Sequence, residues 1–395
     1  MSTPLGVRAV INANATVTFL GGSLMPPPVV QAMADAATRF VDLAELHARV
    51  GERLAELTHN ESAYVTSGAA AAITLAIASC ITTDSQAFPK PAEIVMFASQ
   101  RNGYDYSARL LGVTVHEIGP SVEELQAALI RRPACVLWMA GAHYAADALP
   151  IEEVVRVVRE SEAAAPSVAS SSPGAARGAA VPGVASGSPG VAQAAAAPGV
   201  PVLVDAAAQI PPVSSLWRFT RDVGADAVIV SGGKGLRGPQ ASGLVLGKTW
   251  LIDRIRAHSS PNHEIGRGMK VGKEELLGLL VAVEWTLQQD ESELLASYER
   301  IVDNWIVGLR AIPGLVVERG YPSEAGQPHS RAVLRLPGTR DEVIKQLWDG
   351  DPRIAVGTFG LPDDAIALNP QTLQPGEDKV VLDALVKLLS SGDGE

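Results

Sequence analysis

Three short segments of the sequence place polar or charged residues directly after an apolar run. Ser67 and Gly68 follow the run AYVT and precede an alanine-rich stretch, Asp205 ends the run VPVLVD, and Lys234 follows AVIVSGG. Open α/β sheets bind their ligands outside the carboxyl ends of the strands. We therefore expect the three segments to lie around one crevice.

Each segment taken alone has an ordinary explanation. Ser67 could cap a helix or donate to a phosphate at the positive helix end. Asp205 could hold a metal, a ribose or a protonated ring nitrogen, or simply form a turn. Lys234 could be a solvated turn lysine, but it is not a P-loop lysine, because Gly235 and then Pro239 follow it where that motif needs Ser or Thr and a helix.

Taken together and in this order, the segments predict a site for pyridoxal 5′-phosphate. The Lys234 amine can form a Schiff base with an aldehyde cofactor. The Asp205 carboxylate can keep a pyridine nitrogen protonated, and a helix N-terminus after Ser67 can bind the cofactor phosphate. Lys234 and Asp205 are thus the predicted catalytic residues. No group of His, Cys and Asp has the spacing of metal ligands.

Apolar runs alternate with amphipathic stretches along most of the chain, which predicts a mainly parallel α/β sheet covered by helices on both faces. The predicted helices cover residues 28–38, 44–58, 69–80, 106–111, 122–131, 151–162 and 273–289. The predicted strands cover residues 62–65, 93–98, 114–118, 134–139, 202–205, 227–231 and 243–246.

The domain organisation follows from the same pattern. Residues 1–40 are predicted to form an N-terminal arm, 41–295 a large cofactor-binding domain and 296–395 a small C-terminal α+β domain. Residues 163–199 interrupt the large domain, and 31 of these 37 residues are Ala, Pro, Gly or Ser. Such a segment has little apolar surface to offset its ordering entropy, so we expect a disordered insertion.

Composition excludes several classes of protein. The net charge of −11 argues against a general nucleic-acid binder. The longest nearly apolar stretch, residues 69–81, is too short to span a bilayer, and the N-terminus does not read as a signal peptide. The two cysteines provide no disulfide framework, so a cytoplasmic location is expected.

The chain resembles fold-type I PLP-dependent enzymes, and within them the group of D-glucosaminate-6-phosphate ammonia-lyase and the bacterial L-seryl-tRNA(Sec) selenium transferase-like proteins. The resemblance runs from residue 10 to about residue 377 without the insertion. It rests on these segments: INANATVTFLGGSLMPP, FVDLAELHARVGERLAELT, AYVTSGAAAAITLA, VPVLVDAAAQIPP, SGGKGLRGPQASG, GRGMKVGKEELLGLL and NPQTLQPGE.

The resemblance implies roles for individual residues. Lys234 would be the Schiff-base lysine and Asp205 the partner of the ring nitrogen. The phosphate would be bound by Ser67, Gly68, Ala69 and Ser231. Gln209 would lie near the phenolic oxygen of the ring, and Asn102 and Tyr104 stand in the segment expected to stack on it.

The sequence also departs from wider fold-type I patterns. Gly233 precedes the lysine where many relatives have His, and residues 366–370 carry no arginine for a substrate carboxylate. Arg267 is the first candidate to replace that arginine and Arg353 the second, although either could be a surface charge. Arg237, Lys270 and Lys273 could join Arg267 in binding a second anion, such as a phosphate.

The predicted function is a PLP-dependent lyase that eliminates ammonia from a small polar amino acid, which could be phosphorylated and of D configuration. An aminotransferase, a racemase or an aldolase of the same fold remains an alternative. A selenium transferase on seryl-tRNA and a non-catalytic regulator are further alternatives. By resemblance we expect a homodimer or a larger homo-oligomer, with segment 266–273 contacting a neighbouring subunit's phosphate, and neither nucleic acid nor membrane as a partner.

Overall fold

A computed structural model describes residues 5–82, 88–164 and 199–390. The predicted insertion at 163–199 therefore lies almost wholly outside the described residues.

The described residues form strands and helices that we number in chain order. The strands are β1 (Val10–Ala13), β2 (Ser62–Thr66), β3 (Glu93–Phe97), β4 (Thr114–Ile118), β5 (Val136–Met139), β6 (Val202–Asp205), β7 (Ala227–Ser231), β8 (Gly243–Gly247), β9 (Val316–Gly320), β10 (Arg331–Arg335), β11 (Arg353–Val356) and β12 (Ala365–Leu368). The helices are α1 (Pro27–Ala37), α2 (Leu43–Leu57), α3 (Ala69–Ile81), α4 (Tyr106–Arg109), α5 (Val122–Ile130), α6 (Ala142–Ala145), α7 (Ile151–Ala164), α8 (Thr249–His258), α9 (Lys273–Leu287), α10 (Glu291–Arg310), α11 (Arg340–Asp349) and α12 (Glu377–Ser390).

A seven-stranded sheet with the order β2-β8-β7-β6-β5-β3-β4 forms the larger part of the fold. Strands β3 to β7 pair in parallel, whereas β8 runs antiparallel to both β2 and β7. The prediction of a mainly parallel α/β sheet is confirmed. Because β6 and β7 are parallel neighbours, Asp205 and the turn after Ser231 reach the same edge of the sheet.

Both faces of this sheet are covered by helices. On one face Val204 and Val228 pack in a cluster with residues of α2, α7 and α9; on the other, Leu203 and Ile229 pack with residues of α3 and α8. Strands buried on both sides need apolar residues at every position. This explains why VLVD and AVIVS read as continuous apolar runs rather than as alternating ones.

The C-terminal part is built on a second sheet with the order β12-β10-β9, whose strands are antiparallel. Beside it, β1 pairs in parallel with β11, with Val10 opposite Arg353. The N-terminal arm is therefore paired with a strand from the C-terminal part of the chain. Among the described residues, none of the helices combines the length and apolar character that a membrane span requires.

Helix α10 packs the core of the C-terminal part. Asp290 caps its first turn by accepting a hydrogen bond from Glu293 N at 3.1 Å. Trp305 is fully buried, and its indole N–H donates to the Asp378 carbonyl at 2.9 Å. One side chain thus supplies both apolar volume and a satisfied polar contact between α10 and α12.

Replacing Trp305 with Ala should lower the free energy of unfolding by about 3–5 kcal/mol, because a large cavity would replace the buried indole. Urea unfolding followed by circular dichroism measures this loss. Val307→Ala is the matched control, since Val307 lies on the same helix and is 73% exposed; its effect should stay within about 0.5 kcal/mol. Equal effects of the two substitutions would contradict this account of the core.

Candidate active site

Asp205 is buried at the carboxyl end of β6, where the residue is 6% exposed. Its Oδ1 accepts a hydrogen bond from Ala207 N at 2.9 Å, which fixes the carboxylate in the turn that follows the strand. Burial raises the pKa of Asp205, and the Ala207 N–H and the positive charge of Lys234 oppose this effect. Burial has the largest effect on this pKa, and the charge of Lys234 offsets part of it.

Lys234 lies in the turn that follows β7. The main chain of this turn is held from the N-terminal arm: Ser23 N donates to the Gly233 carbonyl at 3.0 Å, and Ser23 Oγ donates to the Lys234 carbonyl at 2.6 Å. Burial lowers the pKa of Lys234, while the charge of Asp205 raises it. The lysine is thus closer to the neutral, nucleophilic amine than an exposed lysine is.

Gly233 has a steric reason to differ from the His found in many fold-type I relatives. A Cβ at this position would lie 2.5 Å from Gln240 Cα, which is a main-chain atom that cannot move aside cheaply. The close packing of the lysine turn against residue 240 leaves room only for glycine here.

A third part of the site is the N-terminus of α3. Gly68 precedes the helix with φ of +138°, and a Cβ on it would meet no atom within 4 Å. The first turn of α3 contains no acidic side chain. The first N–H groups of a helix have no partner within the helix and carry a partial positive charge. This end of α3 is suited to bind a phosphate.

These parts enclose one cavity of about 260 Å³. Of the residues predicted from the sequence, the cavity is lined by Gly68, Ala69, Tyr104, Asp205, Ser231 and Lys234. Sequence reasoning missed further lining residues, namely Thr16, Thr18 and Gly22 of the arm, Ala70, Ile73, Met139, Ala140, Ala207, Ala208 and Gln240. Tyr144 also lines it, and burial raises the pKa of this tyrosine.

Tyr104 reaches the cavity through a local turn. Asn102 Oδ1 accepts a hydrogen bond from Tyr104 N at 2.7 Å, and its Nδ2 donates to the Gln100 carbonyl at 2.8 Å. The Tyr104 ring centroid lies 5.9 Å from Lys234 Nζ. Asn102 itself does not line the cavity, so its contacts are those of a residue that positions Tyr104.

The other predicted site residues lie outside the cavity lining. Ser67 is half-buried next to Gly68. Gln209 Nε2 donates to the Ala325 carbonyl at 2.6 Å. Arg267 Nη1 donates to Ser260 Oγ at 3.0 Å, and the Arg353 guanidinium carbon lies 4.6 Å from the ring centroid of Trp348. Within the described chain, the two predicted substrate arginines are therefore not brought to Lys234.

Similarity to known proteins agrees with this arrangement. No profile of a known protein family matches the sequence. The chain is 31% identical over 415 residues to the 5′-C-glycyluridine monooxygenase-decarboxylase of a Streptomyces species, covering 99% of this chain and 92% of that protein. The chain belongs to the family of this enzyme.

Two further relatives are similar to this chain over most of their length. D-glucosaminate-6-phosphate ammonia lyase of Salmonella typhimurium is 29% identical over 403 residues, which is 96% of this chain and 95% of the relative. L-seryl-tRNA(Sec) selenium transferase of Solidesulfovibrio magneticus is 26% identical over 437 residues, covering 96% and 82%. The resemblance inferred from the sequence segments is thus confirmed, as is the prediction of an enzyme of the lyase type.

Solved structures confirm the fold-type I architecture. A structure of D-glucosaminate-6-phosphate ammonia-lyase superposes with a TM-score of 0.73 at 26% identity, covering 98% of this chain and 97% of the other. A structure of SPT with a PLP internal aldimine superposes with a TM-score of 0.58 at 16% identity, covering 96% and 87%, and shows the shared fold. That neighbouring structure contains pyridoxal phosphate as its bound cofactor.

Burial and the charge of Asp205 shift the pKa of Lys234 in opposite directions, and the effect of Asp205 can be tested by substitution. Asp205→Asn should lower the pKa of Lys234 further, because it removes the negative charge that favours the ammonium form. Competitive acetylation of the cofactor-free protein at a series of pH values, read by mass spectrometry of the Lys234 peptide, measures this pKa. The control is Asp222→Asn, which alters an exposed carboxylate. An unchanged or raised pKa in Asp205→Asn would show that the two groups do not interact.

Proposed function

We propose that this chain binds pyridoxal 5′-phosphate and releases ammonia from a small polar amino acid by α,β-elimination. The observation that carries the proposal is that Lys234 and the buried Asp205 line one cavity that also contains the N-terminus of α3. Lys234 would hold the aldehyde carbon, Asp205 the ring nitrogen, and the main-chain N–H groups after Gly68, together with Ser231, the phosphate.

The residues present fit this cofactor in size and in chemistry. The open space beside Gly68 and the absence of acidic residues in the first turn of α3 suit a phosphate group. Tyr104 provides an aromatic ring at the cavity wall. When bound, pyridoxal phosphate supplies an electron-withdrawing ring for the α-carbon of an amino substrate.

The chain's own groups supply proton transfer and orientation. A lysine with a lowered pKa can take the proton from the substrate α-carbon at Nζ and return it later. The Asp205 carboxylate can keep a proton on the facing ring nitrogen. In the net reaction the Cα–H, Cβ–O and Cα–N bonds break and Cβ gains a proton. The water that leaves is consumed again in hydrolysis, and ammonia and a 2-oxo acid are released. No oxidant is required.

A second candidate function is an oxidative decarboxylation of an amino acid. It is favoured by the 31% identity over nearly the whole chain to the Streptomyces relative, whose name describes a monooxygenase-decarboxylase. This reaction needs molecular oxygen as a co-substrate and releases the substrate carboxyl group. The two candidates therefore differ in their products and in their need for oxygen.

We also propose that the active form is a homodimer or a larger homo-oligomer in the cytoplasm. Large apolar side chains are exposed on the N-terminal arm, namely Phe19, Leu24 and Phe40, and the next residue, Val41, is exposed as well. The same arm lines the cavity through Thr16, Thr18 and Gly22. Arg267 and Lys270 are exposed, which is compatible with a contact to a neighbouring subunit's cofactor phosphate. Cys80 and Cys135 are free thiols, which supports a reducing compartment.

With a β-hydroxy amino acid that it accepts, the loaded enzyme should release equal amounts of ammonia and 2-oxo acid without oxygen. Suitable trials are D- and L-serine, D-glucosaminate 6-phosphate and 5′-C-glycyluridine. Lys234→Ala should abolish both turnover and the visible absorbance that the cofactor gains on covalent binding to a lysine. Lys248→Ala, which removes a surface ion pair with Glu61, is the control.

The outcomes separate the candidates. Oxygen-dependent release of carbon dioxide would show that the enzyme carries out the oxidative decarboxylation and not the elimination. If the wild-type protein gains no visible absorbance with pyridoxal phosphate, the cofactor assignment itself is wrong.

The exposed arm predicts an effect on assembly. Phe40→Glu combined with Phe19→Glu should shift the protein toward the monomer at micromolar concentration, because charges would enter an apolar contact. Light scattering coupled to size-exclusion chromatography measures the mass. The matched control is Ile130→Glu, which places a charge at an 82% exposed apolar residue at the end of α5. A wild-type monomer, or an equal shift in the control, would contradict the proposed role of the arm.

A further inference from the structure

A second cavity, of about 360 Å³, adjoins the first one at Lys234. Lys234 and Thr16 line both cavities, so the two spaces meet at these residues. The second cavity extends toward the start of α10 and is lined there by Trp285, Arg237 and Tyr298. A molecule held in this cavity would have access to Lys234 without displacing a group bound at α3.

Among the described residues that line this second cavity, Lys234 and Arg237 have cationic side chains. The main-chain N–H of Arg237 donates to the Lys234 carbonyl at 2.9 Å, and its Nε donates to the Leu24 carbonyl at 2.9 Å. The guanidinium carbon lies 5.2 Å from the ring centroid of Trp285. These contacts hold the side chain in place and leave its two Nη groups as donors for another ligand.

No carboxylate of the described residues forms an ion pair with Arg237. The acidic residues that line the cavity have other partners. Glu293 pairs with Arg300 at 2.6 Å, and Glu291 accepts a hydrogen bond from Val213 N. Asp290 caps α10. A half-buried guanidinium without a carboxylate partner is a ready binding group for an external anion.

Two other polar groups complete the cavity. Burial raises the pKa of Tyr298 to about 12, so its hydroxyl keeps its proton and can donate a hydrogen bond. Gln371 Nε2 donates to the Ile210 carbonyl at 3.1 Å, and its Oε1 is buried with no hydrogen-bond partner in the described structure. The cavity thus offers a cation, a hydroxyl donor and an amide acceptor.

We propose that Arg237 binds an anionic group of the substrate, a carboxylate or a phosphate, in this second cavity. Tyr298 supplies a further hydrogen bond to the anion, and Gln371 accepts one from a hydroxyl or ammonium group of the same molecule. The substrate class is therefore an amino acid whose anionic group lies within reach of Arg237. This inference rests on the proposed function, because it takes Lys234 as the group that meets the substrate amine.

The test uses the protein loaded with pyridoxal phosphate, so that the cofactor's own phosphate site is filled. Inorganic phosphate is titrated by ³¹P line broadening and ¹³C-labelled acetate by ¹³C line broadening. Arg237→Gln should weaken the probe that binds by about 10- to 100-fold, the range for loss of a charge-assisted hydrogen-bonded contact. The affinity of Arg237→Lys for the probe should lie between those of the wild type and Arg237→Gln, because lysine keeps the charge but not the paired donors. The probe that is affected identifies the anion as phosphate or carboxylate.

Arg49→Gln is the matched control, since it removes the same charge from an exposed arginine of α2 that lies outside this cavity. It should leave probe binding unchanged. Tyr298→Phe should weaken binding by about 2- to 10-fold and decides the question if Arg237→Gln does not fold. Equal binding by wild type and Arg237→Gln, an equal loss in Arg49→Gln, or no binding of either probe to the wild type would overturn the proposal.

Failure of this inference can be told apart from failure of the proposed function. Arg237→Gln should retain the visible absorbance of the lysine-bound cofactor, which depends on Lys234 and not on the anion. If the wild type itself gains no such absorbance, the same titrations on the unloaded protein measure the difference between wild type and Arg237→Gln. An Arg237-dependent difference there would support the anion site while the cofactor assignment fails.

Discussion

The electrostatic attraction between the buried Asp205 carboxylate and the half-buried Lys234 amine is the interaction on which the site depends. Asp205 and Lys234 lie at the ends of two adjacent parallel strands, and each is shifted by burial toward its neutral form. Each also opposes that shift in the other. The parallel pairing of β6 with β7 is what brings them to one edge of the sheet.

The rest of the larger sheet serves to hold that edge still. Helices on both faces bury the apolar side chains of β6 and β7, so neither strand can shift without opening the core. The turn that carries the lysine is packed so closely that glycine is needed at position 233. The hydrogen bonds from Ser23 then fix its carbonyl groups from outside the sheet. A reactive amine is in this way carried by a rigid turn rather than by a mobile loop.

Much of this fold could be predicted from the sequence, because strands buried on both faces and amphipathic helices leave clear periodic patterns. The strand ending at Asp205 and the one ending at Ser231 lie where their apolar runs predict. The pairing of β1 with β11 could not be predicted, since it joins residues more than 340 positions apart and each strand has only four residues. For the same reason the arm residues in the cavity, such as Thr16 and Gly22, were missed. Arg267 and Arg353, the two arginines predicted for the substrate carboxylate, line neither cavity, because chain spacing does not show where a side chain points.

The parallel pairing of β1 with β11 affects the order in which the parts of the molecule can fold. Ser23 steadies the lysine turn from an arm whose anchoring strand has its partner only at Arg353–Val356. During synthesis the ribosome makes the arm first and its partner strand near the end. The large sheet can therefore form while translation continues, but the lysine turn receives its last support only after most of the polypeptide has emerged. Immature chains would thus carry the reactive amine on a looser turn than the finished protein does.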